Sequence, residues 1–143
     1  MNMEKFPILY VDDEAHNLTS FVATFRKEYQ IYTATNGNDA IEIMRSHEVR
    51  LVITDQRMPE ITGIQLLEKI SPEFPDTIRM ILTGFSDIEV IIEAINSGRV
   101  FRYITKPWNE NELRMTIENA RQLFDLQLRN RLLMEELRQK VEE

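Results

Sequence analysis

The sequence predicts an α/β chain: a doubly wound, five-stranded parallel sheet of strand order 2-1-3-4-5, helices on both faces, and a last helix that continues past the sheet. Three observations carry this expectation. Ile8-Leu9-Tyr10-Val11 and Leu51-Val52-Ile53 are short continuous apolar runs, the signature of parallel strands covered on both faces. Between such runs lie apolar residues at i, i+3, i+4 and i+7, the spacing of amphipathic helices that lie on a sheet. Strand and helix therefore alternate along the chain, and right-handed crossovers leave the doubly wound sheet as the simplest packing.

The first strand, Ile8 to Val11, runs straight into Asp12, Asp13 and Glu14. Leu18, Phe21, Val22 and Phe25 then give the first helical stripe. Gln30 to Thr33 reads as a short second strand, and the Asn36-Gly37-Asn38 turn leads into a helix carrying Ala40, Ile41 and Met44 and closing near His47. The third strand, Leu51 to Thr54, ends in Asp55; Pro59 and Gly63 punctuate the loop behind it. Ile64, Leu67 and Ile70 mark a short helix stopped by Ser71-Pro72 and Pro75. Arg79 to Thr83 is the fourth strand, Ser86 or Asp87 can cap the next helix, and Ile88, Ile91, Ile92 and Ile95 form its predicted stripe. Val100 to Thr105 is the fifth strand, broken by Lys106-Pro107, and a long helix starts between Asn109 and Glu112.

Length and composition bound the reading. A chain of 143 residues holds one ordinary core, so one domain over 1–122 and a helical extension over 123–143 are expected. The net charge of −7 argues against direct nucleic-acid binding by this segment. The absence of Cys removes disulfides and thiolate metal sites, and no apolar run approaches signal-peptide or membrane-span length. A cytoplasmic chain without membrane association is the simplest expectation.

The chemistry follows from the strand ends. In the order 2-1-3-4-5, strands 1 and 3 lie side by side at the switch point, where open α/β sheets place their ligands, so Asp12, Asp13 and Asp55 meet. Carboxylates this close repel unless one is protonated or a cation neutralises them, and a hard divalent ion such as Mg²⁺ is the natural occupant. Thr83 adds a hydroxyl from strand 4 and Lys106 an ammonium from strand 5, the donors that negative phosphoryl oxygens need.

With these residues in place the chain resembles the receiver domain of two-component response regulators, a flavodoxin-like fold, from about Phe6 to about Ala120. Asp12 and Asp13 fit the acidic pair, Asp55 with Met58, Pro59 and Gly63 the phosphoacceptor segment, and Thr83-Gly84 the switch hydroxyl and its small neighbour. Tyr103 fits the switch aromatic, and Lys106-Pro107 the lysine with its typically cis proline bond. The resemblance implies phosphorylation of Asp55 from a sensor histidine kinase or phosphotransfer protein. Mg²⁺ would be held by Asp13, Asp55 and the backbone carbonyl of Arg57, with Asp12 assisting through water. It implies no turnover enzyme beyond the chain's own phosphorylation and dephosphorylation. Thr83 and Tyr103 would reshape the face formed by the fourth helix, the fifth strand and the fifth helix, and with it the C-terminal helix, to control an output domain, and Arg57 and Phe85 would set the lifetime of the phosphoryl group.

Leu123, Leu126, Asn130, Leu133 and Leu137 are spaced 3, 4, 3, 4, a heptad seam with one polar core position. A homodimer through this helix, leading toward an output domain, is the expectation. Two other functional classes share parts of the pattern. A haloacid-dehalogenase-like phosphatase also uses a strand-end Asp with a Thr and a Lys, but its nucleophile follows strand 1 as Asp-x-Asp, whereas strand 1 here ends Asp12-Asp13-Glu14. A phosphorylation-independent dimerisation scaffold would keep the site unused. Ser46-His47-Glu48 reads as a surface helix end, His16 as solvated, and Trp108 as packing at the start of the last helix.

Overall fold

The structure, a computed structural model, describes residues 4–84 and 88–142. Ser86, Asp87, Phe85 and the final Glu143 lie outside the described residues, so the capping and lifetime expectations placed on them have no structural counterpart here.

Five strands alternate with five helices: β1 (Phe6–Val11), α1 (Ala15–Phe25), β2 (Tyr29–Ala34), α2 (Gly37–Ser46), β3 (Leu51–Asp55), α3 (Gly63–Ile70), β4 (Ile78–Thr83), α4 (Ile88–Asn96), β5 (Arg102–Thr105) and α5 (Glu110–Glu142). All pairings are parallel and the strand order is β2-β1-β3-β4-β5, as the sequence predicts. β3 is buried at every position, which is why it reads as an unbroken apolar run ending in an acid.

Two core layers cover the sheet. On one face α1 and α5 pack Leu18, Phe21, Phe25, Leu113, Ile117 and Ala120 against Ile8, Tyr10, Leu51, Ile53 and Ile104. On the other, α2, α3 and α4 pack Ala40, Met44, Ile64, Leu67, Ile91 and Ala94 against Leu9, Val11, Val52 and Ile81. The period-2 alternation of strands sorts these sets. Tyr10 stacks on Phe21 with ring centroids 4.3 Å apart, and Trp108 lies edge-on to Phe21 and tilted over Phe25, so Trp108 closes the α1 side of the core.

Local signals set the helix starts. Asn36 caps α2 by accepting from the Asp39 amide at 2.8 Å, and Asn109 caps α5 by accepting from the Glu112 amide at 3.0 Å. Thr62 and Gln65 form a reciprocal capping box at the start of α3.

Three local expectations are corrected. The α4 stripe is Ile91 and Ala94 with Ile95 packed beside them, and Ile92 is turned outward at 42% exposure. α3 buries Leu66 as completely as Leu67, because α3 also packs against α2; a Cβ on Gly37 would lie 3.5 Å from Leu66 Cδ1. β5 starts at Arg102, two residues later than the apolar run suggests, since the Val100 amide still donates to the Ala94 carbonyl of α4 and Phe101, whose amide donates to the Arg79 carbonyl of β4, leads into the strand.

α5 continues past the core it closes. Leu123 and Phe124 pack against the α1/α5 core, the Phe6 and Phe124 rings meet edge to face, and Arg131 pairs with Asp76 in the loop before β4. Leu123 of the expected seam is thus partly buried in the domain's own core, while Leu126, Leu133 and Leu137 are exposed, as is Asn130. Among the described residues no helix is long and apolar enough to cross a membrane.

Candidate functional site

The C-terminal ends of β1 and β3 bring Asp12, Asp13 and Asp55 together, with a carboxylate oxygen from each within 4.8 Å of the others. Asp12 is fully buried, Asp55 nearly so, and Asp13 exposed. Lys106, one residue past β5, places Nζ 3.0 Å from Asp55 Oδ2 and 3.7 Å from Asp12 Oδ2. The Lys106–Pro107 peptide bond is cis, as the resemblance implies.

Alternation explains this meeting. Tyr10 and Ile8 on β1, Leu51 and Ile53 on β3, and Ile104 on β5 belong to the α1/α5 layer. Asp12, Asp55 and Lys106 continue those rows past the last apolar residue, so one face of three strands supplies the cluster.

Burial raises the Asp55 carboxyl above its ordinary pKa, and the charge of Asp12 adds to the rise. Lys106, through its bond and its charge, and the Gln56 amide oppose it. The site therefore holds three carboxylates against one ammonium, an excess of negative charge built from hard oxygen donors. That donor set fits a Mg²⁺ ion.

Asp12 is fixed by a set of donors that motif reading missed. Its Oδ2 accepts from the Tyr10 hydroxyl at 3.1 Å and from Asn17 Nδ2 at 3.0 Å, and its Oδ1 accepts from the Glu14 amide at 3.0 Å. Tyr10 stands two residues before Asp12 on the same strand face, a placement that a space-filling ring would share.

The loop after Asp55 is held by its neighbours. Gln56 is buried; its side-chain oxygen accepts from the Ile64 amide at 2.9 Å and its carbonyl from the Gly63 amide at 2.9 Å. Gly63 is required there, since a Cβ would lie 2.5 Å from the Asp55 carbonyl oxygen. Arg57 is exposed on this loop, and Glu60 adopts a left-handed conformation at φ 71°.

Thr83 and Tyr103 are on the other side. Thr83 is buried and its hydroxyl donates to the Gly84 carbonyl at 3.0 Å. Tyr103, paired in register with Ile81, is partly buried against the α2/α3/α4 layer. Thr83, two residues beyond Ile81, lies on that same strand face.

The chain is similar to known proteins. A family model described as the response regulator receiver domain matches residues 8–118. The chain is 35% identical over 120 residues to the hydrogenase transcriptional regulatory protein HoxA of Bradyrhizobium diazoefficiens, covering 84% of this chain and 25% of that protein. It is 33% identical over 121 residues to the transcriptional regulatory protein ZraR of Escherichia coli, covering 84% of this chain and 27% of that one. The chain thus spans about a quarter of the length of these curated relatives. Among solved structures, the signal receiver domain of an HD domain-containing protein from Pseudomonas fluorescens superposes with a TM-score of 0.82 at 30% identity, covering 90% of this chain and 96% of that one.

Proposed function

Because this chain belongs to the response regulator receiver domain family, we propose that it is a phosphorylation-controlled switch whose phosphoacceptor is Asp55. The observation that supports this most directly is the strand-end cluster itself: Lys106 Nζ stands 3.0 Å from Asp55 Oδ2, beside the oxygens of Asp12 and Asp13. No observation on the site favours the phosphatase or the unused-scaffold alternative over it.

In this reading a carboxylate oxygen of Asp55 attacks the phosphorus of a phosphohistidine on a sensor kinase or phosphotransfer protein. The P–N bond breaks, its electron pair stays with the imidazole, and the acyl phosphate remains on Asp55. Lys106 shifts its ammonium from the carboxylate to the incoming phosphoryl oxygens, as a compact cation on a flexible stem can do. Asp13, Asp55 and the Arg57 carbonyl would hold Mg²⁺ directly, with Asp12 behind them. Bound there, the ion supplies positive charge that relieves the repulsion among the carboxylates and screens the transferring group.

The switch uses the second face. The Thr83 hydroxyl would leave the Gly84 carbonyl and donate to a phosphoryl oxygen, and Tyr103 would turn into the space it vacates. Such an exchange would reshape the surface of α4 and β5, where Val90 and Ile92 are exposed. α5, with its exposed Leu126, Asn130, Leu133 and Leu137, would form a parallel homodimer and carry the change to an output domain. The relatives named as transcriptional regulators are consistent with such an arrangement.

Intact-mass measurement after incubation with acetyl phosphate and Mg²⁺ tests the reading. One phosphoryl adduct per chain is expected, and none on Asp55→Ala. Repeated hydrolysis of a phosphomonoester, or an adduct that survives in Asp55→Ala, would reject it.

A further inference from the structure

The buried acid of the cluster is tied down by groups that the reaction itself does not use. We propose that Tyr10 and Asn17 form a clasp on Asp12 that keeps Lys106 paired with Asp55 and thereby sets the affinity of the acidic cluster for a divalent cation. This inference rests on the cation-binding reading above and deepens it.

Asp12 has no exposed surface, so its carboxylate depends on protein donors. Two of them converge on one oxygen: Tyr10 OH at 3.1 Å and Asn17 Nδ2 at 3.0 Å from Oδ2. The same oxygen is the one that Lys106 approaches, at 3.7 Å, while Lys106 reaches Asp55 Oδ2 at 3.0 Å. Lys106 therefore stands between two carboxylates, and the clasp supplies to Asp12 the hydrogen bonds that the ammonium would otherwise supply.

The hydroxyl is placed by the core. The Tyr10 ring stacks on Phe21 with an interplanar angle of 22°, and both rings are buried. Held by that stack, the Tyr10 hydroxyl donates to Asp12 Oδ2. Asn17 reaches the same oxygen from the first turns of α1, independently of that core. Tyr10 and Asn17 also line a groove with Ser20, Thr24, Lys106 and Trp108, so both donors and the ammonium border one space.

Removing either donor leaves buried Asp12 Oδ2 short of a hydrogen bond in a low-dielectric setting. The nearest movable donor is Lys106. Its transfer to Asp12 would set a positive charge deeper among the oxygens that hold the cation and leave Asp12 in a changed orientation. Both changes weaken binding of a divalent ion. Groups that orient metal-binding carboxylates change affinity by about 10- to 100-fold when removed; for one of two donors on a shared oxygen, a loss on the order of tenfold is expected.

Calorimetric titration of Mg²⁺ into the full chain, the Tyr10→Phe variant and the Asn17→Ala variant tests the clasp. Tyr10→Phe keeps the ring on Phe21, so a purely space-filling role would leave Mg²⁺ affinity unchanged. The expected result is a dissociation constant raised on the order of tenfold in each variant, and by less than the product of the two in the double variant. With acetyl phosphate, the phosphorylation rate of Tyr10→Phe should return to within about twofold of the native chain at saturating Mg²⁺, placing the defect in cation binding.

Native-like Mg²⁺ affinity in Tyr10→Phe and Asn17→Ala, with the native chain binding Mg²⁺, would overturn the clasp alone. A native chain that binds no Mg²⁺ would overturn the cation reading and the clasp with it. Should Tyr10→Phe lose its near-ultraviolet circular dichroism, Asn17→Ala, on the helix surface, decides the matter by itself.

Discussion

Asp55 sits where opposing influences meet. Burial makes its charge unfavourable, and Lys106 at 3.0 Å makes it tolerable, with the balance on the side of a raised pKa. An acid whose folded pKa exceeds its unfolded one contributes stability that is present below the unfolded pKa and is lost as pH rises through the folded pKa. Replacing Asp55 by Asn should therefore raise the melting temperature at neutral pH in Mg²⁺-free buffer. The gap should close as the pH falls through the carboxylate range, where the native acid is neutral too. Thermal scans at several pH values check this, and an Asn variant less stable than the native chain at neutral pH would mean that the Lys106 pair outweighs burial. The positions of the acids were legible in the sequence, because a carboxylate directly after an apolar run must lie at a strand end. The contacts of Tyr10 and Asn17 with Asp12 were not. Nothing in the spacing of a tyrosine within an apolar strand distinguishes a hydroxyl that reaches a carboxylate from a ring that merely fills space.

The helices show where local chemistry decides a boundary and where packing does. Thr62 opens α3 with a capping box, which fixes the helix start beside the loop that follows Asp55. Thr62→Ala removes that side-chain acceptor and should destabilise the chain by about 1 kcal/mol in urea unfolding, with the m-value unchanged. This boundary is readable, since a Thr three residues before a Gln and just ahead of an apolar stripe is a start signal. α4 is the contrary case. Ile88, Val90, Ile91, Ile92 and Ile95 crowd one short helix, so more than one stripe satisfies the period, and only contact with the sheet selects Ile91 and Ala94. The exposure of Val90 at 55% and Ile92 at 42% is the remainder of that choice. Leu66 was hidden for a related reason: its burial comes from α2, a neighbour that the periodicity of α3 does not describe.

Across the molecule, the sheet separates two kinds of side chain. Asp12, Asp55 and Lys106 continue the strand rows of the α1/α5 face, whereas Thr83 and Tyr103 lie on the α2/α3/α4 face. Strand order followed from the strand–helix alternation and the handedness of crossovers, which is why the architecture was legible as a whole while the resting bond of Thr83 to Gly84 was not. A hydroxyl's partner within its own turn leaves no mark on sequence spacing. α5 belongs to this scale, because its apolar residues divide between the domain and the exterior. Leu123 and Phe124 are taken up by the core, and Leu126, Leu133 and Leu137 remain exposed. Light scattering of the native chain is expected to give a dimer, and the double variant Leu133→Glu, Leu137→Glu a monomer with unchanged thermal stability of the domain. A native monomer at high micromolar concentration would remove the seam from the account.

The length of α5 has a mechanical side. Phe124 is among the last aromatic contacts with the sheet layer, and the helix continues to Glu142, about 27 Å farther at 1.5 Å per residue. Such a rod is a lever with its fulcrum at Phe124 and a tether, the Arg131–Asp76 pair, part of the way along its free arm. A tilt of about 10° at the fulcrum would carry the far end by about 5 Å, so a displacement of side-chain size inside the domain becomes one of backbone size at the tip. With the tether cut, the same rotation would meet less resistance and the arm would sample a wider cone.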